Sequence, residues 1–316
     1  MKLRRLGQSD LEIAPLALGG NVFGWTADKA TSFAILDAFV DAGGTMIDTA
    51  DVYSAWVPGH SGGESERVIG SWLKRNPSNR ERVQIATKVG LMEGLAPERI
   101  MAACDASLQR LGIDCIDLYY QHKDDESVPL ADSLGAFEEL RGQGKIRETG
   151  LSQFGPDRLR EAVSVSEENG FRRPAALQIW YNLVERPKFE GPLRDAALEV
   201  GVGTLPFYSL ANGYLAGKYR TPDDLAKSVR GMRNVEYLEG RGPRVLDALD
   251  KVADRTRASL ATIALAWTMA QPGITAALAS ATSLEQAQDL IAAMRLQLSA
   301  EDLALLDEAS AEPVTA

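Results

Sequence analysis

Histidine is nearly missing from this chain: His60 and His122 are the only two among 316 residues. Imidazole is the commonest nitrogen ligand of catalytic metals, so a His-rich metallohydrolase site is excluded. Cysteine is as scarce. Cys104 and Cys115 stand in no C-x-x-C or C-x-x-H spacing, which fits reduced thiols of a cytoplasmic protein better than a disulfide framework. No run of about 18 apolar residues is present, so no membrane span is expected. The N-terminal stretch MKLRRLGQSDLEIAPLALGG lacks the continuous apolar segment of a signal peptide. A basic block is missing too: Lys+Arg is 34 against Asp+Glu 44, a net charge of −10. Such a chain suits neither nucleic acid nor an anionic membrane surface, and a small-molecule partner is expected.

What is present is rhythm. Short apolar runs alternate with longer helical patterns from end to end. The runs are IAPLALG from Ile13, TMIDTA from Thr45, VQIATKV from Val83, CIDLYYQH from Cys115, ETGLSQF from Glu148, AALQIWYN from Ala175, VGTLPFYSL from Val202 and ITAALASA from Ile274. Most are continuously apolar, as in strands buried on both faces of a parallel sheet. Helices fit between them over 30–41, 64–74, 97–111, 130–141, 156–169, 192–200, 259–270 and 283–294. Pro97, Pro156 and Pro192 open three of these, and Gly112, Gly142, Gly170 and Gly201 close four. Eight such units without a composition break predict one (β/α)8 TIM barrel. A doubly wound sheet would want G-x-G-x-x-G after the first strand, and Gly19-Gly20-Asn21-Val22-Phe23-Gly24 does not match it. The turn at Leu6–Leu11 predicts an N-terminal hairpin closing the barrel bottom. The irregular segment 211–243 predicts a long loop after the seventh barrel strand, on the catalytic face.

Barrel active sites form where strands end. Asp48 and Tyr53 follow the second predicted barrel strand, Lys88 ends the third and His122 the fourth. Taken singly, each has an ordinary reading: a cap, a packed aromatic, an ion-paired lysine, a hydrogen-bonded structural histidine. Together on one rim they form an acid–base set. A phenol is a reluctant acid at neutral pH. A neighbouring ammonium eases its proton transfer, a carboxylate balances the ammonium, and an imidazole can hold an oxygen on which negative charge develops. Such a set can protonate an alkoxide as hydride reaches a carbonyl carbon. It offers no metal site and no Ser–His nucleophile pair.

Several motifs then line up. They are Leu6-Gly-x-Ser-x-Leu, Leu18-Gly-Gly, DTADVY from Asp48, Thr87-Lys88, Tyr120-Gln121-His122, LRGQGKIRETGLS from Leu140, Gly217-Lys218-Tyr219 and ALAW from Ala264. In this order and spacing the sequence resembles the aldo-keto reductase superfamily over essentially the whole chain, a single domain over 1–316. The resemblance implies Tyr53 as general acid/base, Asp48 and Lys88 as its tuning pair and His122 as substrate orienter. It implies NADPH or NADH lying across the barrel mouth. Ser152, Gln153 and Gln178 would hold the carboxamide and Tyr208 would stack on the nicotinamide. Ser209, Leu210, Gly213 and Lys218 would wrap the pyrophosphate. Ser280, Thr282, Glu285 and Gln286 would hold the adenosine end, with Gly20, Asn21 and Asp48 also at the cofactor.

Three departures from the family pattern stand out. Gln153 replaces the more usual Asn, no proline follows Tyr208-Ser209, and Ser280 and Thr282 stand where many NADPH-preferring members carry Arg or Lys. A phosphate without a bidentate Arg loses charge-assisted hydrogen bonds. NADPH is therefore expected to be used and NADH also accepted. Phe23, Trp25 and Trp56, on the first two βα loops, are expected to wall an apolar pocket for a bulky aldehyde or ketone. The wording is similar to bacterial reductases of polycyclic xenobiotic ketones such as a 3-keto trichothecene, which implies a detoxifying role. A monomer is the family-typical state. Two other readings stand beside the reductase. One is an NADPH-binding redox-sensing subunit like the β subunits of potassium channels. The other is a barrel lyase or isomerase using Lys88 as a Schiff base.

Overall fold

The apolar runs pair as parallel strands in the computed structural model, which describes residues 2–312. The ends of the expected 1–316 domain, Met1 and residues 313–316, lie outside the described residues. Two short antiparallel strands come first, β1 (Arg4–Arg5) and β2 (Glu12–Ile13). The barrel follows as β3 (Leu16–Gly19), β4 (Met46–Asp48), β5 (Gln84–Val89), β6 (Ile116–Gln121), β7 (Ile146–Ser152), β8 (Ala176–Trp180), β9 (Gly203–Phe207) and β10 (Ala277–Ala279). Each strand pairs in parallel with the next, and β10 returns to β3. The seam between β9 and β10 is closed by a bridge between Thr204 and Ile274, with the Thr275 N–H donating to the Thr204 carbonyl at 2.9 Å. The result is a TIM barrel with a separate N-terminal hairpin, as the alternation predicts.

Three apolar clusters explain why the sheet curls shut. One lies inside the barrel and contains Ala17, Met46, Ala86, Leu118, Tyr120, Ala176, Leu205 and Ala276, together with Leu6, Leu11 and Ile13 from the hairpin. The hairpin is therefore a plug. Each of its three buried side chains contributes about 1.5–3 kcal/mol by leaving water. Gly7 sits where a Cβ would come within 2.4 Å of the Ala175 carbonyl, so the plug needs glycine at that close approach. The other two clusters lie between the strands and the surrounding helices, around Trp72 in the first half and Trp267 in the second. Both indoles donate to carboxylates, Trp72 to Asp37 at 2.7 Å and Trp267 to Asp307 at 2.9 Å.

The helices Lys29–Asp41, Glu64–Arg75, Pro97–Leu111, Leu130–Gly142, Pro156–Glu168, Pro192–Val200, Leu260–Ala270 and Leu284–Ala293 fall close to the expected ranges. The structure adds helices to the alternation, among them a single turn at Asn79–Arg82 before β5. Helix Arg241–Thr256 is extra between β9 and β10, and helix Ala300–Ser310 packs against it after the last strand unit. The segment expected as an irregular loop over 211–243 carries three 3₁₀ turns, Ala211–Ala216, Pro222–Lys227 and Gly231–Leu238, and its last residues already belong to the extra helix.

Candidate active site

Asp48 ends β4, and its side chain points into the barrel mouth with about 1% exposure. Lys88, equally buried on β5, donates to Asp48 Oδ1 at 2.5 Å, to the Thr49 carbonyl at 2.8 Å and to the Tyr53 hydroxyl at 2.9 Å. All three ammonium protons therefore have acceptors, which is what a buried lysine requires. Tyr53 is carried back over the mouth by the turn after β4, and its hydroxyl also lies 3.3 Å from Asp48 Oδ1. His122 follows β6 and meets the Tyr53 ring edge-on, centroids 6.0 Å apart. The four residues expected to act together are thus in one cluster.

The electrostatics assign the resting forms. Burial, and then the Asp48 carboxylate, push the Tyr53 phenol well above its usual range, so it is held protonated. Of the expected tuning pair, Asp48 together with desolvation sets the phenol at rest, outweighing the neighbouring ammonium. Burial pulls Lys88 down while Asp48 opposes the fall. Burial and the Lys88 charge hold the His122 imidazole neutral, well below its usual range, with its buried Nδ1 unpartnered. His60, in a glycine-rich loop, is half-buried with its Nδ1 enclosed.

The wider rim is assembled from successive strand ends. Ser152 closes β7. Gln153 follows in the left-handed region, φ 61°, with its side-chain amide donating to the His122 carbonyl at 3.1 Å. Gln178 on β8 donates to Asp48 Oδ2 at 2.5 Å, a partner that spacing could not show. Tyr208, Ala211 and Asn212 all have positive φ, a run of strained non-glycine residues of the kind found at binding sites. Tyr208 is fixed by Trp180, 4.9 Å away, and by Asn182, whose amide donates to the Tyr208 carbonyl at 2.9 Å. On the far side, Ser280 donates to Asn21 at 2.7 Å and Thr282 binds Gln286 through its N–H at 3.0 Å. Gly20 lies between them and Asp48, where a Cβ would come within 2.7 Å of Ser65 Oγ.

Residues 15–311 match the model of the aldo/keto reductase family. The chain belongs to that family. It is 31% identical to the aldo-keto reductase str7 of Strobilurus tenacellus, over 98% of this chain and 92% of that protein. It is 30% identical to the uncharacterized oxidoreductase YrpG of Bacillus subtilis (strain 168), over 98% of this chain and 95% of the other. It is 29% identical to the L-glyceraldehyde 3-phosphate reductase of Escherichia coli O157:H7, over 98% and 92% respectively. The protein is therefore an oxidoreductase that acts on carbonyl groups, from a family that generally uses NAD(P)H.

Some expected site residues of this reductase stand elsewhere. Phe23 is completely buried in the core under the first βα loop, so it cannot line a pocket. Trp25 and Trp56 do meet at the mouth, edge to face with centroids 5.6 Å apart, and Trp56 lies 6.2 Å from Tyr53. Ser209 is buried and its hydroxyl donates to the Pro206 carbonyl at 2.9 Å. Leu210 packs against the core, Gly213 sits at φ 95° and Lys218 is exposed. Arg230 was only one basic residue among several in the sequence. Here its guanidinium covers the Trp25 ring at 5.2 Å, near Tyr208, with no acidic partner among the described residues. Among the described residues no group of three His, Cys, Asp or Glu side chains could hold a metal, and no helix is long and apolar enough to cross a membrane.

Proposed function

We propose that this reductase reduces an aldehyde or ketone on a bulky apolar body with NADPH, and accepts NADH. The observation that carries the reading is the buried triangle of Tyr53, Lys88 and Asp48, with the neutral His122 against the phenol. A bound nicotinamide nucleotide supplies the hydride. The protein's residues do the rest. Ser152, Gln153 and Gln178 line the side of the mouth where a carboxamide would sit, and Tyr208 offers a ring face held at fixed height by Trp180. Asn21, Ser280, Thr282 and Gln286 form a neutral hydrogen-bonding group suited to an adenosine. No arginine stands there to read a 2′-phosphate, which is why the preference is relaxed. Lys218 and Arg230 provide positive charge for the diphosphate.

The carbonyl oxygen enters between the Tyr53 hydroxyl and His122. The imidazole, being neutral, donates a hydrogen bond without competing for the proton. As charge grows on the oxygen, Tyr53 passes its proton across and the Lys88 ammonium, 2.9 Å away, stabilises the phenolate left behind. The apolar body rests on Trp25 and Trp56. Trp56 is 49% exposed, and Val229, Met232 and Met92 on the catalytic-face loops are more than 70% exposed. An exposed apolar rim beside a polar centre marks a ligand site. A polycyclic ketone such as a 3-keto trichothecene fits that description.

Tyr53→Phe tests the reading. NADPH oxidation with 4-nitrobenzaldehyde should fall by about 10²–10⁴-fold while nucleotide affinity is unchanged. Activity retained in Tyr53→Phe overturns it. Turnover of that aldehyde by the unmodified protein also separates an enzyme from a redox-sensing subunit, which would show almost none.

A further inference from the structure

Thr87 and Lys88 are adjacent on β5 and so point to opposite faces. Lys88 enters the barrel. Thr87 faces outward and donates to Glu66 Oε1 at 2.7 Å, and Arg110 takes Glu66 Oε2 at 2.5 Å. Glu66 is fully buried and fully satisfied. Beside it lies a second acid, Asp51, which the mechanism above does not use. Its main-chain N–H donates to the Lys88 carbonyl at 3.2 Å, so it is hung on the strand that carries the lysine. Its Oδ1 is enclosed and has no hydrogen-bond partner. Burial and then repulsion from Glu66 push the Asp51 carboxyl up to about 6, while Arg110 and Arg99 pull the other way. The groups facing it are thus Glu66 on helix Glu64–Arg75, Arg99 and Arg110 on helix Pro97–Leu111, Lys88 on β5 and Tyr119 on β6.

A desolvated carboxylate with an orphan oxygen costs stability, and the Val52 N–H and the Arg110 and Arg99 charges offset only part of that cost. Besides Arg110 and Arg99, its charge also acts on Lys88. Lys88 is pulled down by burial and supported, after Asp48, by Asp51 and Glu66. Asp48 is itself shared with Gln178 and Tyr53. Every proton of the ammonium is already engaged, so further support must come through the field, which acts strongly across one strand in a low-dielectric wall.

We propose that Asp51 is a positioning residue whose carboxylate keeps Lys88 in the ammonium form that Tyr53 needs as it gives up its proton. This rests on the reading of Tyr53 as proton donor. Above neutral pH Asp51 is ionised throughout, so its removal subtracts a constant charge and Lys88 loses its proton earlier.

The test is the pH profile of reductive kcat/KM for the unmodified protein, Asp51→Asn, Asp51→Ser and Asp51→Glu. In the Asn and Ser variants the basic limb should move down by about half a pH unit or more. In Asp51→Glu it should stay, NADPH affinity should be unchanged in all, and Asp51→Asn should melt higher at pH 7. An unmoved limb in both neutral variants overturns the proposal, as does an equal shift in Asp51→Glu. Failure of both neutral variants to fold also overturns it, because the residue would then be structural. Tyr53→Phe separates the two levels: an inactive Tyr53→Phe with an unmoved limb sinks Asp51 alone, and an active one sinks both.

Discussion

Replacing Lys88 by methionine is the most informative single change at this site. It removes three hydrogen bonds, of 2.5, 2.8 and 2.9 Å, and leaves Asp48 charged at about 1% exposure. The stranded carboxylate keeps only the Gln178 amide at 2.5 Å and the Tyr53 hydroxyl at 3.3 Å. Removing one partner of a buried pair costs about 3–5 kcal/mol, most of it the penalty of the charge left behind. With an unfolding entropy of about 2.1 cal/mol/K per residue over a chain this long, about 4 kcal/mol lowers Tm by about 6 °C. Asp48→Asn alone should also destabilise, because the ammonium then loses its only anionic contact. Lys88→Met with Asp48→Asn leaves neither charge, so the double variant should be more stable than the sum of the singles by about 1–3 kcal/mol. Thermal melts and urea titrations of the four proteins read this cycle. Reductive turnover of Lys88→Met should fall by about 10²–10⁴-fold as the phenolate loses its support. Strict additivity in the cycle, or full turnover in Lys88→Met, refutes the reasoning.

Two further changes probe the frame and the cofactor end. In Gly150→Ala the new Cβ would stand 2.4 Å from the buried Tyr120 ring, so urea unfolding should show a loss of about 1–3 kcal/mol; a midpoint equal to that of the unmodified protein would mean the ring is not pinned there. Thr282→Arg adds a guanidinium to the neutral group at the end of β10, and KM for NADPH should fall by roughly tenfold with little change for NADH; equal responses to the two nucleotides would show that the 2′-phosphate is bound elsewhere.

The barrel is legible in the sequence because strands buried on both faces must be apolar throughout, and each such run is bounded by a helix with its own proline or glycine punctuation. The four candidate site residues are legible for a related reason. A lysine or an aspartate at the end of an apolar strand has nowhere to go but the barrel mouth. What was lost follows from tertiary packing. Helix Arg241–Thr256 shows Val245, Leu246, Leu249 and Val252 on one face, but it breaks the strict alternation, so the eight-unit pattern leaves it unassigned beyond the loop that ends at 243. Phe23 looks like a loop aromatic because nothing in its neighbours tells an inward from an outward ring. The Gln178–Asp48 bond joins residues 130 positions apart, and Arg230 finds Trp25 across the mouth, where no local pattern reaches.

The overall charge of −10 makes the location of the free cations decisive. Many arginines here are committed to carboxylates: Arg110 to Glu66, Arg172 to Glu148, Arg186 to Glu190, Arg220 to Asp250. Such pairs cancel locally and give an approaching anion nothing. Arg230 differs. It is partly desolvated, stacked on an indole and without an acid beside it, on the segment that folds over the mouth after β9. Burying an unpaired guanidinium is costly, and a fold keeps one where a ligand supplies the missing charge. In the same segment the main chain at Tyr208, Ala211 and Asn212 is held in the left-handed region, which turns it sharply across the end of the barrel. Strain and unpaired charge therefore fall together on one stretch of about twenty residues, beside the Tyr53–Lys88–Asp48 triangle. On the proposed reading a globally acidic barrel would hold a nicotinamide nucleotide on these terms: the far field is unfavourable, and the affinity would come from a few groups that meet the phosphates only at contact, where screening by the rest of the surface no longer matters.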